Sequence, residues 1–205
     1  MEKYLLFMES AVRLISQGQF FRKVFSIILR VLAVCIALVA LITWIPEWKS
    51  LSGASNDAMV GIIIFQLLFV VATYMVVHVI IIRASDIAAL PEADYTVIPI
   101  VSISLKLLGE IYACFTAVIS LAGGILIWFV RGDALFIIKR LAPLVPTFGG
   151  AQGFLDGLLF IIIGWFVAFL VLVVFYFLAE KVVVLVDIAK NTKITSQVAE
   201  QYKKK

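Results

Sequence analysis

The stretch LLFIIIGWFVAFLVLVVFYFL, residues 158–178, contains 21 residues and no charged side chain. A helix needs roughly 20 predominantly apolar residues to cross the hydrocarbon core of a bilayer. Three further stretches meet this criterion, at residues 24–45, 59–82 and 111–130. None of them alternates in hydrophobicity as a lipid-facing barrel strand would, so the spans are predicted to be helices. The sequence therefore predicts an all-α integral membrane protein with four transmembrane helices.

The composition of the whole chain favours the same class. Of its 205 residues, 64% are hydrophobic and 15% are charged, and the mean hydropathy is +1.15. Soluble domains carry about 25% charged residues, so a soluble fold of this size would lack the polar groups to cover its surface. The two cysteines lie inside apolar runs, without the spacing of metal ligands or of a loop disulfide.

The distribution of lysine and arginine predicts the orientation. Four spans put both termini and the connector between the second and third spans on one side. That side carries 13 basic residues, whereas the other two loops carry four. Basic residues accumulate on the cytoplasmic side, so both termini are predicted to be cytoplasmic, in a bacterial cytoplasmic (inner) membrane. Trp44 and Trp128 then fall at the outer ends of the first and third spans, where an aromatic belt is expected.

The two halves of the chain resemble each other weakly. Each has a span that ends near a tryptophan, an outer loop, and a second span followed by Asp-Ile-Ala, at Asp86 and at Asp187. This pattern is consistent with an internal duplication of a helical hairpin and predicts two tandem hairpins. Helices 1, 3 and 4 are also predicted to extend into the cytoplasm, because helical spacing of apolar residues continues beyond their spans.

These observations divide one membrane domain, residues 1–205, into four spans, a short loop between the first two spans, and four other segments. The other segments are the N-terminal cytoplasmic segment 1–23, the cytoplasmic connector 83–110, the outer loop 131–157 and the basic tail 179–205. The outer loop contains an apolar patch split by Lys139 and Arg140, which predicts an interfacial helix on the outer leaflet. In the tail, Lys203, Lys204 and Lys205 are predicted to contact anionic lipid, with a solvated tail as the alternative.

Three ionisable residues lie near the cytoplasmic ends of the spans: Arg30, His78 and Glu180. Ionisable groups inside spans are functional candidates by default. These three are shallow, however, so pairing between helices or snorkelling to water is the favoured interpretation. A proton or ion pathway is the alternative. One histidine cannot supply two axial haem ligands, and the sequence predicts no cofactor and no metal site.

Small residues predict where helices pack closely. Ser120, Gly123 and Gly124 form a patch on the third span, and Gly164 lies in the fourth. In lipid, small side chains let helix backbones approach one another.

The sequence predicts no enzymatic activity, because it contains no phosphate loop, no HExxH and no G-x-S-x-G motif. The favoured function is a non-catalytic accessory or scaffold subunit that packs in a larger membrane complex or homo-oligomer. One alternative is a small oligomeric channel or transporter with His78 and Glu180 near its cytoplasmic mouth. A second is a lipid-interacting or membrane-perturbing effector that uses residues 134–145 and the lysine tail. The expected partners are membrane lipids and other subunits or further copies, not nucleic acid.

Overall fold

The chain is described by a computed structural model, which covers residues 19–48, 55–91, 97–147 and 153–203. Its helices are α1 (Gln19–Glu47), α2 (Asn56–Ala88), α3 (Val97–Val130), α4 (Ala134–Leu141) and α5 (Phe154–Lys203), with a short 3-10 turn at Arg131–Asp133. The covered ranges contain no strand. Most of the N-terminal segment, parts of the loops, and Lys204 and Lys205 lie outside these ranges.

Four of the helices, α1, α2, α3 and α5, are long and apolar enough to cross a membrane. This confirms the all-α class and the four predicted spans. Each helix is longer than its span, and α5 has 50 residues, or about 75 Å at 1.5 Å per residue. The predictions that these extensions are cytoplasmic and that the hairpins arose by duplication remain predictions.

Local sequence explains where α2 begins and ends. The hydroxyl of Ser55 accepts a hydrogen bond from the Ala58 amide at 3.4 Å, and Asp57 lies in the first turn. Both features suit the positive end of a helix dipole. At the other end, the Ala89 amide donates to the Ser85 carbonyl, and the chain leaves the helix shortly before Pro91.

The long helices pack side by side in the order α1, α2, α3, α5. Two clusters of buried side chains hold them together. The first cluster is built around Phe65, Ile119, Leu126 and Phe160, and the second around Ile80, Ala84, Ile100 and Leu107. Because α2 and α3 occupy the centre, α1 and α5 leave long apolar faces exposed.

The chain reverses direction directly after α3. Arg131 has a φ of 56°, a left-handed conformation that is uncommon for residues other than glycine. Ile138 of α4 then packs against Gly123, and the Tyr112 hydroxyl lies 3.5 Å from the Leu144 carbonyl oxygen. Tyr112 precedes Val130 by 18 residues, or about 27 Å of helix. The segment from Ala134 to Thr147, here called the fold-back segment, therefore returns alongside α3.

The structure shows what the apolar face of α4 contacts. Ala134, Ile138 and Leu141 are buried in the first cluster, so these three side chains pack on protein. The position of the predicted interfacial helix at the outer leaflet stays a prediction. Sequence hydrophobicity could not distinguish contact with lipid from contact with protein, because bilayer and protein core both take an apolar face.

Candidate functional site

A half-buried cluster of polar side chains joins the three packed helices α2, α3 and α5. Arg83 comes from the last turns of α2, Glu110 from the middle of α3, and Tyr176 from α5. α2 and α5 both run antiparallel to α3, so residues distant in sequence reach the same height. Arg83 directly follows the apolar stretch of α2, Glu110 directly precedes that of α3, and Tyr176 lies near the end of the stretch 158–178.

Arg83 and Glu110 form the centre of the cluster. Arg83 Nε donates to Glu110 Oε2 at 2.8 Å, and Arg83 Nη2 donates to Glu110 Oε1. The Tyr176 hydroxyl donates to the same Oε1 atom. Two parallel bonds from a guanidinium to a carboxylate are among the stronger pairings available to side chains. The side chains are 22% and 16% exposed, so water screens the pair only partly.

Two more charged residues complete this cluster. Asp86 Oδ2 accepts a hydrogen bond from Arg83 Nη1 at 2.9 Å. The Lys106 ammonium lies 5.4 Å from the centre of the Tyr176 ring, in a cation–π arrangement. Two cations therefore face two carboxylates, and both oxygens of Glu110 are used. Such a balanced, saturated cluster can tie helices together, but it leaves no free nucleophile or base at its centre.

The three ionisable residues singled out from sequence lie elsewhere. Arg30, His78 and Glu180 are all exposed on the faces of α1, α2 and α5. His78 stacks on Tyr74, with ring centres 5.7 Å apart. Within the described ranges, no ion pair or hydrogen bond joins these three residues to one another. α2 and α5 also share no extensive interface, because α3 packs between them.

The small residues are placed directly between α3 and α5. A Cβ atom added to Gly164 would overlap the Ser120 side chain, and one added to Gly124 would overlap Ile161. Gly123 faces Phe160 of α5 and Ile138 of α4. These four positions bring α3, α4 and α5 into close contact, the arrangement that small residues permit in lipid.

The two basic residues of the outer loop lie on the exposed side of α4. Arg140 Nε is 3.0 Å from Glu47 Oε1, and Glu47 is 4% exposed. This ion pair connects the fold-back segment to the C-terminal end of α1. Lys203 is the last residue of α5. Contact of Lys139, Arg140 and Lys203 with lipid remains a prediction.

The sequence does not show directly that Arg83 pairs with Glu110, because 27 residues separate them. The Lys106 ammonium, one helical turn from Glu110, lies over the Tyr176 ring. A usable signal was present: Arg83 and Glu110 each stand where an apolar span ends. Gln66 is fully buried, and no described residue forms a hydrogen bond with its amide. Nothing in the sequence around Gln66 indicates this burial.

The described ranges contain no group of three or more His, Cys, Asp or Glu residues that could hold a metal ion. No protein-family model matches the sequence, and comparison with curated proteins and with solved structures gives no match.

Proposed function

We propose that the protein is a non-catalytic accessory or scaffold subunit, which packs in a larger membrane complex or a homo-oligomer. The observation that carries the proposal is an apolar surface on α3 and α5, beyond the polar cluster. The argument depends on where the bilayer boundary falls.

The polar cluster suits the inner boundary of the hydrocarbon core. Glu110 precedes Val130 by 20 residues, or about 30 Å of helix, and Arg131 follows directly. That distance equals the thickness of a typical hydrocarbon core, about 30 Å. With Arg131 at the outer boundary, Arg83 and Glu110 lie at the inner one, where charged groups reach water cheaply.

Beyond this boundary α3 and α5 continue with apolar side chains that face outward. Val101 of α3 is 43% exposed, and Leu185 and Ile188 of α5 are 65% and 57% exposed. In water such a surface is unfavourable, and contiguous apolar patches of this kind mark interaction sites. A second subunit, or a second copy of the chain, would bury these side chains.

Substitution of the outward face of α5 tests the proposal. We expect the wild-type protein, extracted in mild detergent with native lipids, to form a particle of fixed stoichiometry in native mass spectrometry. Leu185→Glu and Ile188→Glu should each dissociate it, because a buried carboxylate would lose its water. Thr195→Glu is the control, since it adds the same charge to an exposed site of the same helix. A wild-type protein that is consistently monomeric, with no co-purifying subunit, would contradict the proposal.

A small oligomeric channel or transporter is the second candidate, and the fold-back segment favours it. After α4 ends, the chain from Ala142 to Pro146 is not helical yet lies alongside α3. Non-helical backbone at membrane depth is tolerated where it is buried in protein or lines a water-filled cavity. In an oligomer, the exposed His78 and Glu180 would stand near the cytoplasmic mouth.

Flux through proteoliposomes separates the second candidate from the first. A channel or transporter should give a pH-dependent flux that His78→Ala and Glu180→Gln abolish. A scaffold subunit should give no flux above that of protein-free vesicles.

A further inference from the structure

An open groove lies on α5 at the height of the polar cluster. Its volume is about 380 Å³, and it is lined by Leu172, Val173, Tyr176, Phe177 and Glu180. Four of these residues are apolar or aromatic, and the only charged one is Glu180, at the end nearer the C-terminus. The groove therefore has an apolar length and a polar end.

Charges of both signs lie close to the groove. The Lys106 ammonium lies 5.4 Å from the centre of the Tyr176 ring, and the Lys181 ammonium lies 5.0 Å from the centre of the Phe177 ring. Both rings are walls of the groove, and the two lysines, which do not line it, each place an ammonium over one ring. Glu180 is exposed, and no residue of the described ranges pairs with it.

The groove also lies where a lipid headgroup would be. Tyr176 donates a hydrogen bond to Glu110, which fixes the ring at the height assigned above to the inner bilayer boundary. Leu172 and Val173 lie about one turn closer to the bilayer centre. The apolar length of the groove therefore points into the hydrocarbon region, and its charges lie in the headgroup region.

We propose that this groove binds one phospholipid with a primary ammonium headgroup, of the phosphatidylethanolamine class. The phosphate lies between Lys106 and Lys181, and the ammonium donates hydrogen bonds to Glu180. One acyl chain lies against Leu172 and Val173. A choline headgroup has no N–H donors for the carboxylate, and a glycerol headgroup has no positive charge for it, so both bind less tightly.

Lipid retention in native mass spectrometry tests this site. The full-length protein is purified in detergent and incubated with dioleoyl phosphatidylethanolamine, phosphatidylcholine or phosphatidylglycerol, which share their acyl chains. Wild type should retain phosphatidylethanolamine about two- to five-fold more than either other lipid, as expected for one exposed ionic contact.

Three substitutions assign the contacts. Glu180→Gln should reduce the ratio of retained phosphatidylethanolamine to retained phosphatidylcholine to about one, since the carboxylate is the group that distinguishes the two headgroups. Lys106→Gln and Lys181→Gln should lower retention of both lipids, because both lipids carry the phosphate that the two lysines contact. Glu200→Gln, an exposed carboxylate further along α5, should leave the preference unchanged.

Two results would overturn the proposal. Equal retention of the three lipids by wild type would show that the groove does not select a headgroup. A preference for phosphatidylglycerol would show that the lysines attract anions without a contribution from Glu180. Circular dichroism of each variant verifies that its helices are intact, and all three substituted side chains lie at the surface or partly exposed.

Discussion

At the scale of single residues, Glu110 is the side chain on which most contacts of the polar cluster depend. It accepts two bonds from Arg83 and one from Tyr176. Glu110→Gln keeps the shape of the side chain but removes its charge. We expect the free energy of unfolding to fall by about 1.5–3 kcal/mol, the range for hydrogen bonds to charged groups, measured by denaturant unfolding in micelles.

The matched control for Glu110 is Asp86→Asn. Asp86 accepts one bond from the same guanidinium, but its side chain is 42% exposed. Exposed ion pairs contribute about 0–1 kcal/mol, so the loss should be smaller than for Glu110→Gln. Equal losses for the two variants would mean that the bidentate pair is not the centre of the cluster.

A second residue-scale prediction concerns the contact between Gly164 and Ser120. Gly164→Ala places a methyl group on the Ser120 side chain. Overpacking of this kind costs about 1–3 kcal/mol, which unfolding of the variant would measure. Ser120→Gly in the same chain should restore part of the loss, because it removes the atoms that collide. Gly132→Ala is the control, since open space surrounds that position.

No rescue by Ser120→Gly would mean that α3 and α5 do not approach each other at this height. The double substitution is therefore more informative than the single one, because it measures the coupling between these two positions directly. Alanine also favours a helix more than glycine does, by about 1 kcal/mol. This gain works against the predicted loss, so an observed loss would be clear evidence of the contact.

At the scale of secondary-structure elements, the ion pair between Glu47 and Arg140 positions α4. Glu47→Gln should weaken this connection and let the fold-back segment separate from the core more often. We expect faster maleimide labelling of Ile138→Cys, a fully buried position, in a background with both native cysteines replaced by serine. Phe136→Cys, 70% exposed, should label at the same rate with or without Glu47→Gln. Slow, unchanged labelling at Ile138→Cys would show that apolar packing alone holds α4.

The helices were more predictable than their contacts, and the reason is physical. An apolar run such as residues 158–178 is long and apolar enough to span a bilayer whatever its neighbours are, so composition is enough to find it. The partner of Glu110 depends on the height at which α2 crosses α3, which no local pattern encodes. The sequence predicts a helix at α4, but it does not tell whether its apolar face meets lipid or protein, and in the structure Ala134, Ile138 and Leu141 pack on protein.

At the scale of the whole molecule, the open order α1, α2, α3, α5 has a consequence for assembly. α1 packs mainly on α2, and α5 mainly on α3, so each flanking helix has one protein side and one free side. Within the bilayer, lipid can cover the free side without cost. In the bilayer placement proposed above, Leu185 and Ile188 lie beyond the hydrocarbon core, where lipid no longer covers them, so they need another cover. The extended end of α5 is therefore where assembly with a second subunit should be sought.

The orientation of the molecule is the last prediction, and other arguments above depend on it. The predicted inner side carries 13 of the 17 basic residues, so both termini should face the cytoplasm. Reporter domains fused after Lys205 should be active only as cytoplasmic reporters, and reporters inserted after Gly53 or Gly150 only as external ones. The opposite pattern of reporter activity would mean that both termini are external and that Glu180 lies at the outer leaflet. The helix packing would be the same in that orientation, but the lipid site would have to draw its phosphatidylethanolamine from the outer leaflet.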